Sequence, residues 1–582
     1  TTVMGGDYVL SMTDTAGCVA TDTVSVTVSP LTTDFNYGGD TVFCLGSVNP
    51  VATITGDTAG IFTSSFGLVI DSLTGEIDLA TSTPGNYEVT YTPASSGNWQ
   101  QIGQDIDGEA AGDNNGVSVS LSSDGSKVAI GAIFNSGNGS TAGHVRIFEN
   151  IGGSWSQIGQ DIDGEAAGDY SGWSVSLSSD GSKVAIGATY NDGNGNNAGH
   201  VRIFEHIGGS WSQIGQDIDG EEAVDFSGSS VSLSSDGSKV AIGAVGNSGN
   251  GSMAGHVRIF EHIGGSWSQI GQDIDGVAAN DYSGRSVSLS SDGSKVAIGS
   301  YENDGNGNNA GHVRIFEHTG GSWSQIGQDI GGESANDQSG FSVDLSSDGS
   351  KVAIGATYND GNGNNAGHVR IFEHIGGSWS QIGQDIDGES ANDQSGFSVD
   401  LSSDGSKVAI GAYRNDGNGD DVGHVRIFEH IGGSWSQIGQ DIDGEAVGDW
   451  CGFSVSLSSD GSKVATGARY NDGNGTDAGH VRVFAEPNIV CPKPLNITIL
   501  PKLIGDTTTL TACDSTIWNS NTYITSGLYS DTLTAANGCD SIVTLNLTIY
   551  NAESSDTTAT ACDSLVWRGV TYISSGTYSD TL

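Results

Sequence analysis

Histidine, arginine, lysine and aspartate recur in this sequence at fixed places, and their settings could do chemistry. All twelve His lie in two patterns, seven in G-H-V (His144 to His480) and five in F-E-H (His206 to His430). Seven Arg stand in H-V-R and seven Lys in G-S-K, which accounts for 14 of the 20 basic residues. A ring of seven His and seven Arg could bind a ligand or move protons. Alternation argues otherwise. Arg202 stands between Val201 and Ile203, so it points to the opposite sheet face, where a neighbouring unit packs. An ion pair with a repeated carboxylate is expected there, because buried charge must be paired.

Three acidic motifs could hold calcium, which wants several oxygen ligands from closely spaced carboxylates and amides. They are D-I-D-G-E (Asp105, Asp107, Glu109), D-G-N-G-N (Asp192, Asn194, Asn196) and the Asp found in every copy from Asp113 to Asp449. The first loses an acid at Gly331 and Val277, and the second becomes S-G-N-G-S in two copies. Asx-type turn hydrogen bonding is the expectation for all three. No cofactor is expected; calcium is the one ion these motifs could hold, and Asp192, Asn194 and Asn196 are its candidates. No G-x-S-x-G elbow, H-E-x-x-H or C-x-x-C is present, and Ser, His and Asp recur too symmetrically for a catalytic set.

The elements that position these residues follow from a period. Trp99, Trp155, Trp211, Trp267, Trp323, Trp379 and Trp435 stand 56 residues apart, each in W-x-Q-I-G-Q-D-I. Each of the seven copies reads as four strands; in the second they are WSQIGQDI, WSVSLSS, KVAIGA and HVRIFEHI. Alternating Trp173, Val175 and Leu177 give a strand with distinct faces, and the run Val184-Ala185-Ile186 gives one covered on both. Short Gly-Ser and Asp-Gly turns between them predict an all-β fold, a seven-bladed β-propeller over 95–487. The last copy lacks a fourth strand, which Trp99–Ile106 supplies from the other end of the repeat.

Strand order puts the short turns on one side of the disc and the two longer connections on the other. The copies differ most at those longer loops, so the candidate ligand-binding residues are Phe134, Trp173, Tyr190, Tyr301, Tyr358, Tyr413, Arg414 and Tyr470. Exposed aromatics there would stack on sugars or anchor a protein.

The run D-x-S-G-[WF]-S-V-x-L-S-S-D-G-S-K-V-A-I-G-A followed by G-H-V-R-I-F resembles the FG-GAP repeat of integrin-α-type propellers. Ser339 stands where that family has the Phe of FG, and Thr189, Thr357 or Arg469 where it has the Pro of GAP. Members that bind calcium use a D-x-[DN]-x-[DN]-G loop between the first two strands; here the link is SSDGS, so the resemblance brings no calcium site with it. It does imply a large secreted bacterial surface protein with immunoglobulin-like and adhesin-type repeats.

The flanks fit that setting. Residues 1–29 are expected to be the end of a β-rich repeat module, 30–94 an immunoglobulin-like β-sandwich, 488–549 a linker and Cys-containing β-repeat, and 550–582 a truncated second copy of it. The copies are ACDSTIWNSNTYITSGLYSDTL and ACDSLVWRGVTYISSGTYSDTL. Cys513 and Cys539 are the natural disulfide pair within the first, while Cys44, Cys451 and Cys491 have no obvious partner. The chain opens at Thr1 without Met and stops inside a repeat, so it is expected to be a piece of a longer protein.

Charge bounds the partners. With 70 Asp and Glu against 20 Lys and Arg, a net charge of −50, the chain lacks the basic footprint that nucleic acid needs, and no apolar run is long enough to span a bilayer. The expectation is an extracellular or cell-surface binding or adhesion protein, not an enzyme, with a monomeric propeller that takes a glycan or an extracellular protein. A propeller glycoside hydrolase or lyase and a structural spacer are the alternatives.

Overall fold

The computed structural model describes residues 6–13, 19–26, 34–55, 60–93, 98–486, 493–501, 503–534, 540–551, 558–561 and 563–578. Among them every regular element is a β-strand, and no helix is long and apolar enough to cross a membrane. The chain divides into two compact units, one formed by Asp57–Ile61 and Thr92–Cys491 and the other by the remaining segments.

The larger unit repeats one sheet. In the first copy, Asn115–Leu121, Lys127–Ala132, His144–Ile151 and Ser154–Gln157 pair antiparallel in that order. Asp124 closes the first turn: its Oδ1 accepts from Ser122 Oγ at 2.8 Å and Ser126 N at 2.9 Å. This is the local side-chain bonding that favours Asp in turns. The second strand is covered on both faces, with Val128, Ala129 and Ile130 each 0% exposed, as its continuous apolar run requires.

The W-x-Q-I-G-Q-D-I segment, expected as one strand, is two. Ser154–Gln157 pairs with one end of the third strand and Ile162–Asp163 with the other. The interruption has a tertiary cause. Gly159 takes φ 73°, and a Cβ there would lie 2.6 Å from Cδ1 of Trp211, which belongs to the next sheet. Trp211 Nε1 donates to Ile158 O at 2.9 Å. The Gln160 side chain then clamps the Trp211 backbone, donating to its carbonyl at 2.8 Å and accepting from its amide at 3.1 Å.

Seven such sheets follow one another, giving a β-propeller-like repeat fold. Each packs its apolar face on the next: Val145, Ile147 and Ile162 of the first meet Val175, Leu177, Val184, Ile186 and Trp211 of the second. The seventh takes its outer strands from the start of the repeat, with Gln100–Gln101 and Ile106–Asp107 pairing on His480–Ala485 as the sequence predicts. It also packs on the first sheet, Val481 and Val483 joining Val119, Val128 and Ile130 in one core. A cycle of backbone bonds links the first strands, each N–H donating to the next carbonyl through Ser123, Ser179, Ser235, Ser291, Ser347, Ser403 and Ser459 and back to Ser123, at 2.8–2.9 Å.

The flanking segments do not divide as the sequence predicts. Lys493–Leu500, downstream of the repeats, pairs with Gly85–Pro93 and Val42–Cys44 upstream of them, in a sheet completed by Gly60–Ser64. Ile497 and Ile499, each 1% exposed, enter the core of Phe35, Phe62, Leu79, Val89 and Tyr91. The 30–94 module is therefore incomplete without a strand from 488–549, and the repeat unit is inserted in it. Beyond, Leu503–Cys513 and Gly527–Thr534 pair on either side of Asp540–Tyr550. The ribbons Thr516–Trp518/Asn521–Tyr523 and Leu565–Trp567/Val570–Tyr572 repeat one another.

The expected Cys513–Cys539 disulfide is not formed. Cys513 is free and exposed, standing opposite Tyr550 in the parallel register; Cys539 lies outside the described residues. Cys44 is disulfide-bonded, and Cys451 is free and buried.

Replacing Ile497 and Ile499 by Ala should destabilise the smaller unit by about 2–5 kcal/mol each while leaving the repeat unit intact. Calorimetry should then show one transition moving down and a larger one unmoved; a shift of the larger transition would contradict the insertion.

Candidate binding site at the heads of the first strands

The seven first strands converge on two cavities. The one of about 140 Å³ is uniform, lined by a Leu and a Ser from every sheet, Leu121 and Ser123 to Leu457 and Ser459. The other, of about 280 Å³, is individual. Its walls repeat Ser and Val, but the residue at the strand head varies: Val117, Trp173, Ser229, Arg285, and then Phe341, Phe397 and Phe453.

Three of these form an arc of rings, Phe341 to Phe397 at 4.9 Å and Phe397 to Phe453 at 4.8 Å. A guanidinium lies over each end: Arg285 is 4.3 Å from the Phe341 centroid and Arg469 is 4.7 Å from that of Phe453. Burial lowers the pKa of both arginines. Arg469 Nη2 donates to Asn114 Oδ1 at 2.7 Å, a neutral partner.

Of the residues chosen from sequence, Trp173 lines this cavity. Tyr190 is half-buried among Tyr170 at 4.8 Å, Phe226 at 5.4 Å and Trp173 at 6.2 Å. Phe134 packs on Tyr170, and Tyr470 on Trp450 at 4.6 Å. Arg414 stacks over Tyr413 and Trp450, and Tyr358 is half-buried at the matching loop position. Two residues need correction. Tyr301 and Tyr413 stand one place earlier than the others, matching Arg469, and Glu302 is the fourth copy's equivalent of Tyr190. Tyr413 is only 6% exposed, with its hydroxyl on Gln394 Oε1 at 2.6 Å, so it supports the loops from below. Burial also pushes the Tyr301 phenol up to about 12.

Sequence reasoning missed Arg285, Phe341, Phe397, Phe453 and Arg469. The signal was present: within 98–486 only Arg285, Arg414 and Arg469 are basic outside the repeated positions.

The acidic motifs resolve as turn and seam structure. Asp169, 3% exposed, accepts from Ala166 N at 2.9 Å and Asn191 Nδ2 at 3.1 Å. Asp192 Oδ1 accepts from Asn197 N, the Asn196 carbonyl accepts from Val224 N, and Asn194 Nδ2 donates to Gly220 O of the next copy. At each seam the Arg does bridge sheets: Arg202 Nη2 donates to Asp163 O at 2.6 Å, and its Nη1 lies 3.7 Å from Glu165. Glu165, His200 and Asp217 present possible ligand atoms within 4.8 Å of one another, but the guanidinium already sits on that carboxylate.

The buried seam histidines carry a pH dependence. Burial first, and the adjacent Arg second, pushes His144, His200, His368, His424 and His480 down to about 4. The unfolded chain takes up these protons near 6.5 and the folded one only near 4, so stability is full above 6.5 and is lost as pH falls. The melting temperature should therefore drop by several degrees between pH 7 and pH 5; a flat profile would contradict this packing.

One departure from symmetry is titratable. Leu177 N donates to Ser120 Oγ of the preceding sheet, and five sheets offer Ser at that place; two offer Asp344 and Asp400, which accept from Leu401 N and Leu457 N. The two carboxyls also bond each other, and burial raises both pKa values, that of Asp400 further through the Asp344 charge. A raised folded pKa means stability lost as pH rises. Replacing both by Ser should raise the melting temperature more at pH 8 than at pH 5, and an equal effect at both would refute the shared proton.

These features define the chain as a repeat protein of β-propeller-like fold. The family described as FG-GAP repeat matches residues 162–204 and 275–316. No curated protein matches the sequence. Among solved structures, a Bacteroides uniformis protein described as a "putative 6-phosphogluconolactonase" is similar over 64% of this chain and 100% of that one, at 14% identity and a TM-score of 0.41, too slight a likeness to bear on function.

Proposed function

We propose that the seven sheets are the blades of a closed seven-bladed β-propeller in an extracellular or cell-surface binding protein, which presents its variable face to a glycan or protein ligand without chemical turnover. The observation that carries this reading is the contrast between the two cavities, one identical in all seven copies and one lined by five different residue types at the strand heads. Drift alone would not concentrate aromatics and the non-repeated arginines at one end.

Backbone cost points the same way. The variable residues Asn114, Tyr170, Phe226, Tyr282, Gln338, Gln394 and Trp450 all hold φ between 50 and 60°. Gly would occupy that left-handed region more cheaply, by about 1 kcal/mol or more per residue, yet four of the seven are aromatic. Side chains are kept there at a cost.

An enzyme is less favoured. Glycoside hydrolysis needs a pair of carboxyl groups flanking the scissile bond, and the larger cavity is lined by Ser, Val, aromatics and Arg.

Changing Tyr190, Tyr358 and Tyr470 together to Ala should weaken binding of the intact chain on an array of glycans and matrix proteins, with the large melting transition retained. Unchanged binding would refute this placement. An absence of any ligand for the unaltered chain would favour the spacer, and turnover of a polysaccharide the enzyme.

A further inference from the structure

The larger cavity joins two features that sit poorly in a chain of net charge −50 unless a ligand completes them. The first is Arg285. It stands at the head of the fourth first strand, where other copies have Val117, Trp173, Ser229 or Phe, so the repeat does not require a cation there. Among the described residues its side chain has no carboxylate within ion-pair distance and makes no hydrogen bond; the Phe341 ring lies 4.3 Å away, and the Tyr301 phenol is near enough to act on its charge. A partly desolvated guanidinium without an anion is costly. The second feature is shape. Arg285, Phe341, Phe397, Phe453 and Arg469 form a continuous arc of tilted rings with a charge at each end, facing a cavity of about 280 Å³.

We propose that this cavity captures one carboxylated sugar ring, such as the uronic acid of an acidic glycan, with its carboxylate on Arg285 and its apolar face on the Phe arc. The inference deepens the binding reading above and rests on it. Guanidinium matches a carboxylate with two parallel donors, and the volume lies at the small end of ligand sites, which suits a single ring. Aromatic faces receive the C–H side of a sugar, and the Ser residues around the wall offer hydroxyl oxygens to its hydroxyls. The surrounding negative field disfavours polyanions such as phosphate chains, whereas one carboxylate brings a single charge to two arginines.

Calorimetric titration of the intact chain with glucuronic acid, galacturonic acid, glucose and acetate tests this. A uronic acid should bind at least about tenfold more tightly than glucose and than acetate. Arg285→Gln should remove that preference, with Arg285→Lys keeping part of it and the melting temperature of each checked. Ser229→Glu, which adds a carboxylate to the cavity while leaving both arginines in the sequence, should abolish uronate binding and serves if Arg285→Gln does not fold. Equal affinity for glucose, equal affinity for acetate, or an Arg285→Gln variant that binds like the parent would each overturn the inference. Failure of both uronic acids would overturn it too, while a positive array result would leave the broader binding reading standing.

Discussion

Each 56-residue sheet is too small to bury both its faces, and the rest of the larger unit depends on how that is solved. A sheet of four short strands leaves apolar residues on either side, and the only apolar surfaces available are those of its neighbours. The outer-strand Trp fixes the spacing: Trp211 reaches back to the Ile158 carbonyl while Gln160 of the earlier sheet holds its backbone. The Gly159 beside it leaves the room the indole needs. A seam of this kind is repeated between successive sheets, and the last would be left open if the first strands of the repeat did not pair with His480–Ala485.

That constraint explains where variation is tolerated. Residues in the seams are held by two sheets at once, so Trp, Arg and His recur unchanged and Ile gives way only in the last sheet, to Thr466 and Val483. The Arg–Glu pair and the buried His are parts of this packing, which is why their abundance means little for chemistry. At the heads of the first strands and in the loops beside them, a side chain meets the cavity or its own kind. There the copies diverge, and there the arginines outside the repeat appear. Asp344 and Asp400 are an exception that lies within the seam: each does the hydrogen-bonding work of Ser while adding a charge that the site can keep only by sharing a proton.

The insertion of the repeat unit places a second constraint on the chain. The core of Phe35, Phe62 and Tyr91 is closed by Ile497 and Ile499, so the smaller unit cannot be completed until the whole repeat has been synthesised. Contacts of that sequence separation close slowly.

The sequence by itself determined the period, the all-β repeat, the completion of the last sheet by Trp99–Ile106 and the division into a uniform and a variable end. These follow from local patterning: alternation, turn residues and a tryptophan that returns at constant spacing. Only the tertiary structure decided the rest. The split of W-x-Q-I-G-Q-D-I depends on an indole from another copy, and the Lys493–Leu500 strand belongs to a partner some 400 residues earlier. Cys513 looks paired in sequence but is free and exposed in the fold. Arg285, Phe341, Phe397, Phe453 and Arg469 lie in separate copies, and no periodicity brings them together. Periodicity reports what the copies share, whereas a binding site is made from what they do not, and only the folded arrangement places those differences side by side.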